Sequence, residues 1–317
     1  MKNLFYWILL LSLFAACKKT VNPASEEPVT PQPPVKEDSL KDFNKDITIA
    51  NWNIEWFGSS VFGGNLDVQQ ANAEKVLKYL DADLYGLCEI VDTARFGRMI
   101  RGTFGDDYRY DISPYPSMLN AQRLAFVYNR HIFRKVKVRP FLGLSISATK
   151  NFASGRYPFL LQAQLSVNGQ IKDISVILLH AKANADNDSY NRRLNGAREM
   201  KDTLDKDFAN KSFLIIGDFN DHLNGSILNG MPSPYQDYVN DNTRYLPITY
   251  PLNTTGYQST LSYVNSVIDQ QVISTAMGQW YVSASAKIRT DVTTPVPNFT
   301  TRNTSDHYPV TSVYHVR

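Results

Sequence analysis

The chain has 317 residues, with 33 basic side chains against 30 acidic ones and two cysteines. A balance this close to neutral permits a polyanionic partner without demanding one, because phosphate affinity depends on a local patch rather than on the total. With Cys17 expected to be acylated only Cys88 remains, which excludes an intramolecular disulfide; stability must come from the core, and about 270 residues can bury a large one.

Met1-Lys2-Asn3 gives a positive start, and Leu4 to Ala16 is an apolar and hydroxyl-bearing stretch ending at Ala15-Ala16-Cys17. It is shorter than the ~20 residues a spanning helix needs. The pattern predicts a bacterial lipoprotein signal over 1–16, with Phe14 where leucine is usual and Cys17 as the acylated first residue of the mature chain. The protein is then expected outside the cytoplasm, lipid-anchored to a bacterial membrane at the outer membrane or cell surface. The alternative is an ordinary secretory leader with an incidental cysteine. Residues 17–45, with Pro23, Pro28, Pro31, Pro33 and Pro34 and almost no large apolar side chains, cannot offset their ordering entropy and predict an extended tether. One folded domain is expected over 46–317, as a monomer.

Within that domain short apolar runs end repeatedly in polar clusters. Ile47-Thr48-Ile49 leads to Asn51-Trp52-Asn53; Ala73, Val76, Leu77 and Leu80 then follow helical spacing and predict a helix over 67–80. Leu84-Tyr85-Gly86-Leu87-Cys88 leads to Glu89, and Arg123 to Tyr128 reads as another strand. Gly155-Arg156-Tyr157-Pro158-Phe159 opens a further run, and Ile174 to Leu179 leads to His180, with Lys182 two residues on. Leu194, Ala197, Leu204 and Phe208 mark a second helix. Phe213-Leu214-Ile215-Ile216 then stops at Gly217-Asp218-Phe219-Asn220; a strand has period two, so Asp218 and Asn220 can point the same way from its end. Residues near 230–265, rich in Pro, Gly, Asn and Tyr, read as long loops around the site. Val267-Ile268-Asp269 and Ser305-Asp306-His307-Tyr308-Pro309 complete the set.

Taken in this order, the clusters at 51–55, 87–90, 155–159, 179–180, 217–220, 268–269 and 305–309 resemble the endonuclease/exonuclease/phosphatase superfamily, its secreted deoxyribonuclease branch in particular. The resemblance implies a four-layer α/β sandwich of two packed, mostly antiparallel sheets flanked by helices. It also implies a phosphodiester substrate, most readily nucleic acid, and a Mg²⁺, Mn²⁺ or Ca²⁺ ion, since hard oxygen ligands suit a cation that bridges to a phosphate oxygen. Glu89, Asn53 and Asp306 would form the metal environment, Asn53 through its amide oxygen or a bound water. His307 would be the general base, oriented by Asp269. Asp218 and Asn220 would place the attacking water and the phosphate, and His180 would serve as the second histidine. Arg156 and Lys182 are candidates for phosphate contact, a guanidinium offering a planar fork matched to phosphate.

Plainer readings stand beside these. His131, His222 and His315 carry no motif and read as structural or surface residues, Cys88 as a buried strand residue, and Asp269 or Glu89 taken alone as a cap or an ion-pair partner. The pancreatic-type nucleases place a glutamate before the strand that here is 123–128, and Ser113 to Ser117 holds no carboxylate, leaving the partner of His180 open between Asp111, which could point away, and Tyr115. The combined reading is a divalent-metal-dependent, non-specific extracytoplasmic endonuclease acting on DNA or RNA by in-line water attack. A sphingomyelinase-like or inositol-phosphate phosphoesterase, and a catalytically silent binding lipoprotein, are the alternatives.

Overall fold

In the computed structural model, described for residue 32 and residues 40–115 and 120–317, the chain runs in the order β1 (Ile47–Phe57), α1 (Leu66–Leu80), β2 (Leu84–Ile90), α2 (Thr93–Phe104), β3 (Tyr108–Ile112), β4 (Arg123–Asn129), β5 (Phe133–Pro140), α3 (Ile146–Asn151), β6 (Phe159–Val167), β7 (Gln170–His180) and α4 (Asn187–Asp207). It continues with β8 (Phe213–Asp218), α5 (Gln236–Asn240), β9 (Tyr245–Leu246), β10 (Asp269–Ser274), α6 (Thr275–Gly278), β11 (Lys287–Ile288) and β12 (Val310–Tyr314). The expected signal, Cys17 and most of the tether lie outside the described residues. No helix among the described residues is long and apolar enough to cross a membrane.

The strands form two six-stranded sheets, ordered β11-β12-β1-β2-β4-β3 and β5-β6-β7-β8-β10-β9. Each contains one parallel pair, β1 with β2 and β7 with β8, and is otherwise antiparallel. This is the expected mostly antiparallel, four-layer sandwich. The central strands are apolar on both faces because both faces are covered. On β8, Leu214 and Ile216 enter the core between the sheets while Phe213 and Ile215 pack under α4. On β2, Leu84 and Cys88 face the other sheet while Tyr85 and Leu87 pack under α1 and α2. Gly86 leaves room for the facing sheet: a Cβ there would lie 2.7 Å from Ile216 and 2.9 Å from Leu178.

α1 starts one residue before the expected position, where the side chain of Asn65 accepts from the amides of Asp67 and Val68. α4 is capped by Asp186, which accepts from the Ser189 amide. α2 was not anticipated from the sequence, although Phe96, Met99 and Ile100 form its buried face. The segment expected as loops around the site departs in part. Tyr235, Tyr238 and Tyr245 are buried in the core under α4, because α5 and β9 close the outer layer there; residues 259–262 do border the site. Asp42 and the residues around it dock on the domain rather than leading off it: Lys41 N donates to His131 Nδ1 at 3.2 Å, Lys45 N to Asn168 Oδ1 at 2.8 Å, and Phe43 packs against the inter-sheet core.

Candidate functional site

Strand register gathers the polar clusters at one end of the sandwich. In the second sheet His180 is the parallel partner of Asp218, and Asp218 the antiparallel partner of Asp269, so three candidate side chains stand in one row across β7, β8 and β10. From the first sheet β1 brings Asn53, β2 brings Glu89, and the turn before β12 brings Asp306 and His307. Gly217 makes the row possible. Its φ is +132°, and a Cβ there would meet the Leu179 carbonyl oxygen at 2.0 Å, so only glycine lets β8 run this close to β7. Both opposing strands bulge at the site, with register shifts between Asn53 and Phe57 and between Leu87 and Ile90. Glu89 sits there at φ +69°, a backbone state that costs on the order of 1–3 kcal/mol and must be held by its surroundings.

Asn53 is the hinge between the two sheets. Its amide nitrogen donates to Glu89 Oε1 and to Asp218 Oδ2, both at 3.0 Å, and its carbonyl oxygen accepts from Glu55 N at 3.0 Å. The amide oxygen expected in the metal environment accepts this one backbone bond and keeps a second lone pair, while the nitrogen holds two carboxylates in place. The other oxygen of Glu89 accepts from Trp56 N at 2.9 Å, and Asp218 Oδ1 accepts from Asn220 N at 2.8 Å. The Asn220 side chain donates to the Ala181 carbonyl at 3.2 Å.

His307 Nδ1 lies 2.8 Å from Asp269 Oδ2, which also accepts from Ser259 Oγ at 2.7 Å. Its Nε2 is then free to face Asp218 Oδ2 and Asp306 Oδ1, each at 3.8 Å. Burial alone would lower the His307 pKa, but the charges of Asp269 and Asp218, the Asp269 hydrogen bond and Asp306 together raise it well above the ordinary value. His180 shifts the other way: burial, then Arg156 and His307, hold it well below the ordinary value, which favours the neutral ring. Its Nε2 lies 3.5 Å from Asp218 Oδ2 and 3.6 Å from Glu89 Oε1. Its Nδ1 is buried with no partner among the described residues. Neither sequence candidate reaches it, since Asp111 accepts from Tyr128 and Tyr115 donates to the Ala153 carbonyl.

Arg156 is buried and turned inward. Nε and one terminal nitrogen donate to the carbonyls of His180 and Ala181 at 3.1 Å each, and the other terminal nitrogen to Gln122 at 2.6 Å. These bonds tie down the end of β7, which describes a positioning group better than a free phosphate fork. Lys182 is half-buried and donates to its neighbour's carbonyl at 3.0 Å, so it lies beside the row rather than in it.

Two serines escaped the sequence reading. Ser259 Oγ accepts from the amides of Ile268 and Asp269 besides donating to the Asp269 carboxylate. Ser305 Oγ donates to the Asn53 carbonyl at 2.6 Å and accepts from His307 N at 2.9 Å, tying β1 to the histidine. Ser305 at least stood inside a motif; Ser259 had no local signal. His131, His222 and His315 pair with Asp107, Ser266 and Asp46, outside the row.

The donor set fits a divalent cation. Glu89, Asp218, Asp269 and Asp306 bring four carboxylates to one end of the fold, and Asp269 Oδ1 is buried without a partner among the described residues. Burial pushes the Glu89 carboxyl up and that of Asp218 up to about 7, the response of carboxylates lacking enough positive charge. Asp218, Asp269 and His307 also bring one donor atom each to within 4.8 Å of one another. The Asp269–Nδ1 hydrogen bond engages that histidine nitrogen, while each oxygen of Glu89 accepts one hydrogen bond, from Asn53 and from Trp56 N, and keeps a second lone pair.

Neither protein-family models nor curated protein sequences give a significant match to the chain. Solved structures do, at the level of fold. One is an endonuclease/exonuclease/phosphatase from Beutenbergia cavernae DSM 12333, with 16% identity, TM-score 0.60, and coverage of 86% of this chain and 72% of that one. A second is an endonuclease/exonuclease/phosphatase from Bacteroides vulgatus, with 13% identity, TM-score 0.59, and coverage of 86% and 100%. A third is D. rerio TDP2 complexed with single-strand DNA product, with 10% identity, TM-score 0.56, and the same coverage. The fold of this chain is the endonuclease/exonuclease/phosphatase fold.

Proposed function

We propose that the protein is a divalent-metal-dependent phosphodiesterase, and that its substrate is nucleic acid, cleaved outside the cytoplasm by a chain anchored through lipid on Cys17. The observation that carries the chemistry is the Asp269–His307 pair at 2.8 Å, aimed at Asp218 and flanked by Glu89 and Asn53. Asp269 accepts from Nδ1 and fixes the tautomer, and once the pH exceeds the raised pKa of His307 its Nε2 takes a proton from water. Asp218, held by Asn53 and the Asn220 amide, orients that water, and the neutral His180 offers its Nε2–H to a phosphate oxygen or the leaving oxygen. Glu89 and Asp306 would hold Mg²⁺, Mn²⁺ or Ca²⁺, which when bound neutralises phosphate charge. Arg156 keeps the end of β7 in place beneath His180. The fold shared with a single-strand DNA complex of TDP2 supports nucleic acid as the substrate. With every main site residue present, nothing in the site favours a silent binding protein.

The test is a substrate panel for the purified chain with Mg²⁺ or Mn²⁺: duplex and single-stranded DNA, RNA, sphingomyelin and inositol phosphates, beside His307→Ala. Metal-dependent nucleic-acid cleavage lost in the variant is the expected result. Turnover confined to the lipid or the inositol phosphate would replace the substrate, and no turnover by a folded chain would refute the enzyme.

A further inference from the structure

The lip of the site beside Glu89 carries two aromatic rings that the core does not use. Trp56 sits on the bulge of β1, and its backbone amide donates to Glu89 Oε2 at 2.9 Å. Its ring is half-buried and packs on Phe62, with centroids 4.4 Å apart and planes tilted by 38°. Neither ring belongs to any of the three apolar clusters, and Phe62 is 45% exposed.

That exposure is held in place. Ser59 N donates to the Trp56 carbonyl and Gly63 N to the Ser59 carbonyl, while Ser59 Oγ accepts from the amides of Val61 and Phe62 and donates to Asn120 Oδ1. Glu55 and Trp56 stand consecutively at φ +45° and +49°, left-handed states that a side chain with a Cβ disfavours. Stiffening the loop needs no phenyl ring in solvent, because these hydrogen bonds already fix it. The ionic groups nearby are paired: Asp67 bridges Arg95 at 2.9 Å, Asp92 accepts from Arg95 N at 2.8 Å, and Glu55 accepts from Thr301 Oγ1 and Arg302 N. A lip of balanced charge suits a planar, uncharged group and offers an anionic bilayer no cluster of basic side chains.

We infer that Trp56 and Phe62 form a stacking subsite for a nucleobase adjoining the phosphate to be cleaved, and that the substrate is a strand with unpaired bases. This deepens the proposed phosphodiesterase function and rests on it. A base hangs from its phosphate by one sugar, and Trp56 is tied through its own amide to a carboxylate placed to hold the phosphate-bridging cation, so ring and base meet within one nucleotide. Stacking on aromatic side chains accepts any base, because every base has a π-face. A duplex keeps its bases stacked on one another and closes them to the rings.

The purified chain would be titrated, in EDTA to prevent turnover, with a labelled thymidine oligonucleotide, its abasic counterpart and a duplex of equal length, read by fluorescence anisotropy. Phe62→Ala is the main variant; Phe62→Tyr keeps the ring, and Phe62→Leu keeps only apolar bulk. The wild type should bind the base-bearing strand roughly 5- to 150-fold more tightly than the abasic one, and more tightly than the duplex. Phe62→Ala and Phe62→Leu should lose much of that advantage, and Phe62→Tyr should retain it. Both single strands carry the same phosphates, so the advantage reads the rings and not the charge. Equal affinity for the two strands, an advantage unchanged in Phe62→Ala and Phe62→Leu, tighter binding of duplex, or no strand binding would each overturn the subsite. So would binding to phosphatidylcholine vesicles that Phe62→Ala abolishes. Binding is read without turnover: a chain that shows the advantage yet cleaves nothing counts against the proposed function alone, and a nuclease without the advantage counts against the subsite alone.

Discussion

Replacing Asp269 by asparagine removes one negative charge while keeping the shape of the relay. Asp269 Oδ2 accepts both from His307 Nδ1 and from Ser259 Oγ, so an amide oxygen at that position retains both bonds. The amide nitrogen falls where Oδ1 now lies, and no described residue competes for that atom. What is lost is the charge that stabilises protonated His307, and a hydrogen bond to a charged partner is worth about 1.5–3 kcal/mol. Expressed in the transition state, where the imidazole carries the proton, this predicts a fall in kcat of roughly 10- to 150-fold. The pH profile carries a second signature. Asp269 contributes to raising the His307 pKa, so the acid limb of kcat, where the base is protonated and idle, should move to lower pH in the variant. Steady-state hydrolysis of a soluble phosphodiester from acid to alkaline pH measures both. Wild-type kcat with an unmoved acid limb in a folded D269N protein would remove His307 from the role of base.

Four further outcomes follow from named contacts. Gly217→Ala places a Cβ against the Leu179 carbonyl at φ +132° and should destabilise by more than about 2 kcal/mol, read by denaturant unfolding; a loss under about 1 kcal/mol would contradict the packing. Arg193→Met leaves Asp221 without its buried 2.8 Å ion-pair partner and should cost about 3–5 kcal/mol on the same axis, with near-neutrality as the contrary result. His180 has a folded pKa below its unfolded value, so its contribution to stability is present above the unfolded value and lost as pH falls through and below it. Stability should decline there by up to about 1.4 kcal/mol per pH unit, and His180→Gln should flatten that part of the curve. Glu89→Gln removes the carboxylate charge and should abolish the rise in melting temperature that Mn²⁺ gives the wild type, with an undiminished rise as the contrary result.

The two-sided apolar strands and the ends they carry were legible from the sequence because both are local. A run such as Phe213 to Ile216 stopping at Gly217-Asp218 needs no partner to be recognised, and Ala73, Val76, Leu77 and Leu80 draw their helix unaided. What stayed hidden depends on distant partners. Ser259 matters because β10 brings Asp269 to it, and Tyr238 is core because α4 covers it, facts with no trace in neighbouring residues. Side-chain direction was hidden as well. Nothing in Gly155 to Phe159 tells whether Arg156 turns out to a phosphate or in to the carbonyls of His180 and Ala181, and nothing around Asn53 tells which end of its amide faces the carboxylates. The α2 helix is a different case, since Phe96, Met99 and Ile100 do carry helical spacing within one short turn and a half.

The most direct test of a site in which distant strand ends serve a single cation is the binding of Mn²⁺ to the purified chain, followed by electron paramagnetic resonance. Saturable binding in the wild type, sharply weakened in both Glu89→Gln and Asp306→Asn although these residues belong to different parts of the chain, is the predicted result. Binding that neither substitution alters, or no binding by the folded wild type, would contradict it.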